Sequence, residues 1–361
     1  MNQAQQTKDP VAANLSSTNF RLAVVAGASL VCSLLAILLM QKDALPVAKE
    51  DPTASMLRTL SAQVNASEPI APLPKTISLD QAKVAIGKKL FSDPRLSRDG
   101  SISCASCHIL ERAGTDGQER SFGINAAQGL RNTPTVFNSG FGFRQFWDGR
   151  ALTLEEQVDG PLTNPVEMGS SWKQVIDKLK SDPVYVDLFQ NAYREEGISK
   201  TSISDALATF QRALVTPNAP FDRWLRGETG AISSEAVRGY ALFKSYGCIS
   251  CHQGAAVGGN MFERVGLVHN FFADRGRNDQ SDQGRFNQTN EEDDRHEFKV
   301  PSLRNVALTA PYFHDGSVAT LPDAIRLMGY YQLGVKLPQE DIRLMEAFLQ
   351  TLTGEKPEVL K

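Results

Sequence analysis

Two hexapeptides, SCASCH at residues 103–108 and GCISCH at 247–252, hold four of the five cysteines and two of the five histidines. In a Cys-x-x-Cys-His motif, two thiols separated by two residues can add to the vinyls of one porphyrin, and the following His becomes the proximal iron ligand. Cys104, Cys107 and His108 form one such set. Cys248, Cys251 and His252 form the other. The competing chemistries are a zinc site and a redox dithiol. A zinc ribbon spaces its cysteine pairs by some 15–20 residues, whereas these pairs lie about 140 apart. A redox dithiol has no need of the same His twice. The motifs point to two covalent c-type haems, with His108 and His252 as axial ligands. The other histidines, His269, His296 and His314, all follow the second motif.

The chain has 361 residues and a formal net charge of −3. No long basic block is present, so nucleic acid is not an expected partner. Residues Leu22 to Met40 form a 19-residue run without charge that contains the fifth cysteine, Cys32. As a helix the run would span roughly 28 Å, the thickness of one bilayer core. Residues 1–20 then read as a leader, 21–41 as a transmembrane anchor, and 42–76, rich in Pro, Ala and Ser, as a linker. A cleaved signal segment is the alternative reading of 21–41. Bacteria attach haem covalently outside the cytoplasm. The expected location is therefore the periplasm, tethered to the inner membrane, or soluble in the periplasm after cleavage.

The periodicity predicts a helix over 78–91, capped by Ser78, with Ala82, Ala85, Ile86 and Leu90 on one face. A second is predicted over 233–247, with Ala236, Val237, Tyr240 and Ala241 on one face and Gly247 at its end. Gly87-Lys-Lys-Leu-Phe91 matches Gly239-Tyr-Ala-Leu-Phe243, and each leads into a Cys-x-x-Cys-His, so one supersecondary unit is duplicated. A last helix carries Ile342, Met345, Phe348, Leu349 and Leu352 in register. The fold class is mostly α. Two cytochrome c-like helical domains are expected, an N-terminal one over 77–228 and a C-terminal one over 229–355, jointed near Gly227 and Gly230.

Four further stretches carry a resemblance: RNTPTVFN (131–138), FWDGRALTLEEQVDGPLTNPVEMG (146–169), FKVPSLRNVALTAPYFHDGSVATL (298–321) and MGYYQLGVKL (328–337). Over roughly 76–355 the chain resembles the bacterial di-haem cytochrome c peroxidases and their MauG-type relatives. The resemblance implies a peroxidatic N-terminal haem and an electron-accepting C-terminal haem. It places the catalytic pair over the first iron at Glu167 and Gln157. It places an electron-relay tryptophan at Trp147, the distal ligand of the second iron at Met328, and calcium-holding positions at Asn132, Thr309 and Pro311. Tyr330 and Tyr331 stand close to Met328, and the MauG-type enzymes use a tyrosine as that ligand. His314 matches a position near the interface, and His269 and His296 read as ordinary loop histidines.

The chain departs from the pattern at one place. Many members carry a histidine, in a Gly-His-Gly context, that closes the peroxidatic iron. Here the matching segment reads Gly123, Ile124, Asn125. The expected activity is reduction of hydrogen peroxide to water, with electrons from a small c-type cytochrome or cupredoxin and without prior reductive activation. The alternatives are a MauG-like enzyme oxidising a partner protein and a non-catalytic di-haem electron carrier. Related proteins are often dimers, so a homodimer is the assembly that the resemblance implies.

Overall fold

The computed structural model describes residues 68–361. The leader expected at 1–20, the apolar segment at 21–41, and the linker as far as residue 67 lie outside the described residues. Among the described residues no helix is long and apolar enough to cross a membrane.

Helices dominate: α1 Gln81–Phe91, α2 Leu154–Thr163, α3 Trp172–Lys180, α4 Pro183–Tyr193, α5 Lys200–Ala213, α6 Pro220–Leu225, α7 Ser234–Ser245, α8 Leu321–Leu333 and α9 Gln339–Gln350, with short helical turns between them. A two-stranded antiparallel ladder pairs β1 Phe262–Arg264 with β2 Glu297–Lys299, so that Phe262 faces Lys299.

Helix α1 is capped by Asp80, not Ser78: its Oδ1 accepts the amides of Ala82 (2.9 Å) and Lys83 (3.2 Å). Its buried residues are Val84, Ile86, Gly87, Leu90 and Phe91, while Ala82 and Ala85 of the expected face are exposed. Helix α7 repeats the pattern. Ser233 caps it, Ala236, Gly239, Tyr240 and Phe243 are buried, and Val237 and Ala241 are exposed. The shift has one cause. Apolar periodicity passes over glycine, yet Gly87 and Gly239 are where the partner helices approach closest. A Cβ on Gly87 would overlap the Ala206 carbonyl of α5, and one on Gly239 would overlap the Leu344 carbonyl of α9. Beside each crossing a phenylalanine pair packs, Phe91 with Phe210 (5.3 Å between centroids) and Phe243 with Phe348 (5.2 Å). The duplicated Gly-x-x-Leu-Phe is thus one close helix crossing used twice.

Each crossing organises a core. The first runs from Val84 to Leu214, and the second takes in Ile70 together with residues from Phe221 to Leu352. Helix α6 precedes the boundary expected at 228/229, but Phe221 and Leu225 pack in the second core, and the Phe221 amide bonds the Thr351 carbonyl (3.1 Å). The stripe expected on α9 is buried as expected.

Residues 68–76 are not the loose end of a linker. Ile70 and Leu73 are fully buried, and burial of each contributes roughly 1.5–3 kcal/mol. The arm satisfies its own backbone by pairing with the loop after His252. The Gly254 amide donates to Pro69 (2.8 Å), and Arg304 donates to Ala71 (2.9 Å). Tyr240 donates to Glu68 (2.6 Å). At the other end of the chain, Val359 and Leu360 pack against the first core, and Lys88 donates to the Val359 carbonyl (2.7 Å).

Candidate functional site

The two hexapeptides follow α1 and α7 and open into one cavity of about 1050 Å3. Ser103 and Ser106 cap the single turn Cys104–Cys107, and Gly247 (φ 85°) turns the chain into the second motif. None of the four cysteines is in a disulfide, and all four line the cavity. The His108 Nδ1 lies 3.2 Å from the Gly114 carbonyl, and the His252 Nδ1 lies 3.4 Å from the Val257 carbonyl. A carbonyl only accepts, so each Nδ1 carries the proton and each Nε2 keeps its lone pair. Burial pulls the His108 pKa down and that of His252 to about 4, so both rings are neutral at pH 7. Two cysteine pairs not joined in disulfides, neutral imidazoles with an unprotonated Nε2, and a large shared cavity fit two covalent haems.

Glu167 and Gln157 line the same cavity as Cys104, Cys107 and His108. Gln157 lies on α2. Asn164 caps the end of α2 and starts the turn that carries Glu167. Its Nδ2 donates to Glu167 Oε1 (2.7 Å), and its Oδ1 accepts the Val166 amide (3.0 Å). Burial raises the Glu167 pKa, against the opposing pull of the Asn164 hydrogen bond and the Arg150 charge. Asn164 was not singled out by sequence, although it stands in the quoted TNPVEMG segment.

The segment that lacks the histidine packs under this turn. The Ile124 amide donates to the Glu167 carbonyl (2.9 Å), and Ile124 is buried. Its side chain lies where a Cβ on Gly169 would stand. Asn125 is exposed with φ 56°. Phe122, Gly123, Gly129 and Leu130 line the cavity, but His269 and His296 do not. His269 stacks on Tyr330 (4.3 Å), and His296 stacks on Phe272 (4.0 Å).

On the other side Met328, on α8, lines the cavity with His252. Tyr330 and Tyr331 are not among the lining residues; Tyr331 packs edge-on against Phe271 (5.1 Å).

Trp147 stands where the two halves meet. Its Nε1 donates to the Asn132 carbonyl (2.9 Å), and its own carbonyl accepts the Lys299 amide (2.8 Å). Its ring is edge-on to His314 (6.5 Å), which stacks on Phe298 (4.4 Å). His314 Nε2 meets Asp282 Oδ1 at 2.7 Å. Asp282, His314 and Asp315 cluster closely enough to hold a metal ion, but their carboxylates are already committed. Arg275 meets Asp282 (2.5 Å) and also Asp315, and Arg277 meets Asp315 (3.1 Å). Burial works to raise the Asp282 pKa, but the bonds from His314 and Arg275 outweigh it and hold the carboxyl well below its usual range. The cluster is therefore an ion-pair clasp. Asn132, Thr309 and Pro311 line the cavity together. Asn132 spends its Nδ2 on the Gln118 carbonyl (2.9 Å), which turns its Oδ1 away from that bond. Among the described residues no backbone amide bonds the Thr309 or Pro311 carbonyl. Such neutral oxygens suit calcium.

Residues 81–230 match the family model described as di-haem cytochrome c peroxidase. The chain is 48% identical over 295 residues to a cytochrome c peroxidase of Escherichia coli, covering 81% of this chain and 63% of that protein's length. It is 43% identical to a cytochrome c551 peroxidase of Nitrosomonas europaea, covering 81% of this chain and 86% of that one. Among solved structures, a MauG-like protein associated with microbial copper homeostasis superposes with a TM-score of 0.70 at 31% identity, covering 81% of this chain and 95% of that one.

Proposed function

The chain belongs to the di-haem cytochrome c peroxidase family, and on that premise we propose that it reduces hydrogen peroxide to water at its N-terminal haem, without first being half-reduced. The haems, when bound, supply the iron and the stored electrons for that reduction. The protein supplies proton transfer and positioning. Glu167 takes a proton from one peroxide oxygen and delivers it to the other, so that the departing oxygen leaves as water. Gln157 holds the peroxide through its side-chain amide. Its raised pKa makes Glu167 a stronger base once ionised than a surface carboxylate. Two electrons and two protons balance the conversion of H2O2 to two waters. Electrons would come from a small c-type cytochrome or cupredoxin to the C-terminal haem, closed by Met328, and pass by Trp147. Calcium held at Asn132, Thr309 and Pro311 would tie the halves together. A periplasmic site and a tether at 21–41 belong to the same proposal.

The observation that carries this reading is the shared cavity wall. Glu167 and Gln157 line it with His108, and among the described residues no other histidine except His252 and His314 does so. His314 is already held by Asp282. The test is peroxide added to the fully oxidised holoprotein, followed by absorbance. Rapid spectral change without added reductant is the expected result. A requirement for one prior electron overturns the unactivated reading.

A MauG-like oxidation of a partner protein is the second reading, favoured by the likeness to a MauG-like structure. Met328, rather than Tyr330 or Tyr331, on the cavity wall supports the peroxidase over it.

A further inference from the structure

Lys299 lines the cavity at the junction beside Trp147. It is half-buried, and its ammonium makes no hydrogen bond or ion pair with another described residue. Each nearby carboxylate is committed elsewhere. Asp148 is buried and accepts Arg131 (2.8 Å), Arg150 (2.9 Å) and Gln288 (3.4 Å). Glu297, on the same face of the ladder, meets Arg285 (3.5 Å). Glu263 alternates to the opposite face from Lys299 and its partner Phe262. Arg131 and Arg150 share the carboxylate of Asp148, and Lys299 is left without a carboxylate partner of its own. A cation withdrawn from water without a partner is costly, and burial pulls the Lys299 pKa down to about 8. The wall is incomplete without anionic charge from the cavity.

We propose that Lys299, backed by Arg131 and Arg150, is a binding site for haem propionate carboxylates, and that its charge helps set the reduction potential of the haem it binds. The inference rests on the two haems and not on the peroxide chemistry, so its test is read without peroxide. Either haem could present the carboxylate at this junction. The haem whose potential moves identifies the source.

The test is spectropotentiometric titration of both haems in holoprotein carrying Lys299→Gln or Lys299→Arg. Loss of a cation favours the oxidised state. In Lys299→Gln the reduced-to-oxidised ratio of one haem at fixed ambient potential should fall about tenfold, about 59 mV for a one-electron couple, while Lys299→Arg stays near the wild type. Ratios within about twofold of wild type at both haems in Lys299→Gln, or an equal fall in both variants, overturn the proposal. If Lys299→Gln fails to retain haem, the wild-type protein decides. Paired with a carboxylate, the ammonium holds its proton, and both midpoints are level through pH 8. A downward step near pH 8 marks an unpaired ammonium and overturns it.

Discussion

The Asn164 side-chain amide donates to Glu167 Oε1 at 2.7 Å, while its carbonyl oxygen is held by the Val166 amide. The donor stabilises the ionised carboxylate and works against the burial that raises the Glu167 pKa. In Asn164→Ala burial is less opposed, so the pKa rises further. A base must be ionised, so the acid limb of the kcat/KM–pH profile should move to higher pH. An unmoved limb would separate Asn164 from the function of Glu167.

Glu167→Gln keeps the shape and removes the base. Positioned proton transfer contributes about 10²–10⁴-fold, so peroxide turnover should fall by at least about a hundredfold. The absorption spectra of both haems should be unchanged, because no described ligand to either is touched. Retained turnover would reassign the base.

The haem motifs and the internal duplication were legible in sequence, because their residue types and spacing are distinctive. Glu167, Gln157 and Met328 were reached only through the family resemblance, since a lone carboxylate, amide or methionine carries no such signal. The helix faces were legible only in part. Ala82 and Val237 count as apolar in any periodic pattern, but contact geometry is set by glycines that carry no such signal. The arm at 68–76 read as linker because proline-rich composition speaks of local chain stiffness, whereas its order comes from burial of Ile70 and Leu73 and from distant partners such as Tyr240, Gly254 and Arg304. Lys299 was hidden for a related reason: nothing local in FKVPSLRN tells that every neighbouring carboxylate is already paired.

Met328 is one of several α8 residues on the cavity wall, and neither Tyr330 nor Tyr331 is among them. On the proposal that Met328 is the second axial ligand of the C-terminal haem, its replacement by His should lower that haem's reduction potential, since methionine ligation raises it. Tyr330→Phe and Tyr331→Phe should leave the spectrum of that haem unchanged. A spectral change in either tyrosine variant would favour the MauG-like alternative.

Gly87→Ala and Gly239→Ala should both destabilise the holoprotein. Each new methyl overlaps a backbone carbonyl of the facing helix, which cannot rotate away as a side chain could. Overpacking of this kind typically costs about 1–3 kcal/mol. Differential scanning calorimetry of each variant checks the sum of helix propensity, which favours alanine, and overlap, which opposes it. A rise in Tm would mean that the crossings yield.

Arg304 and Asp222 form an ion pair at 2.7 Å with both side chains fully buried. The same guanidinium donates to Ala255, in the loop after His252, and to Ala71 in the arm. Arg304→Met would leave Asp222 uncompensated and release both carbonyls. Breaking a buried pair on one side costs about 3–5 kcal/mol, so a clear fall in Tm is expected. Restoring charge balance with the double change Arg304→Met and Asp222→Leu should recover part of that loss, because no buried charge then remains unpaired. The arm should stay loosened in both variants, since Ala71 has lost its donor in each. Limited proteolysis near residues 68–76 reads that directly. Protection equal to wild type in the single variant would show that the burial of Ile70 and Leu73 and the bonds to Glu68 and Pro69 hold the arm without Arg304.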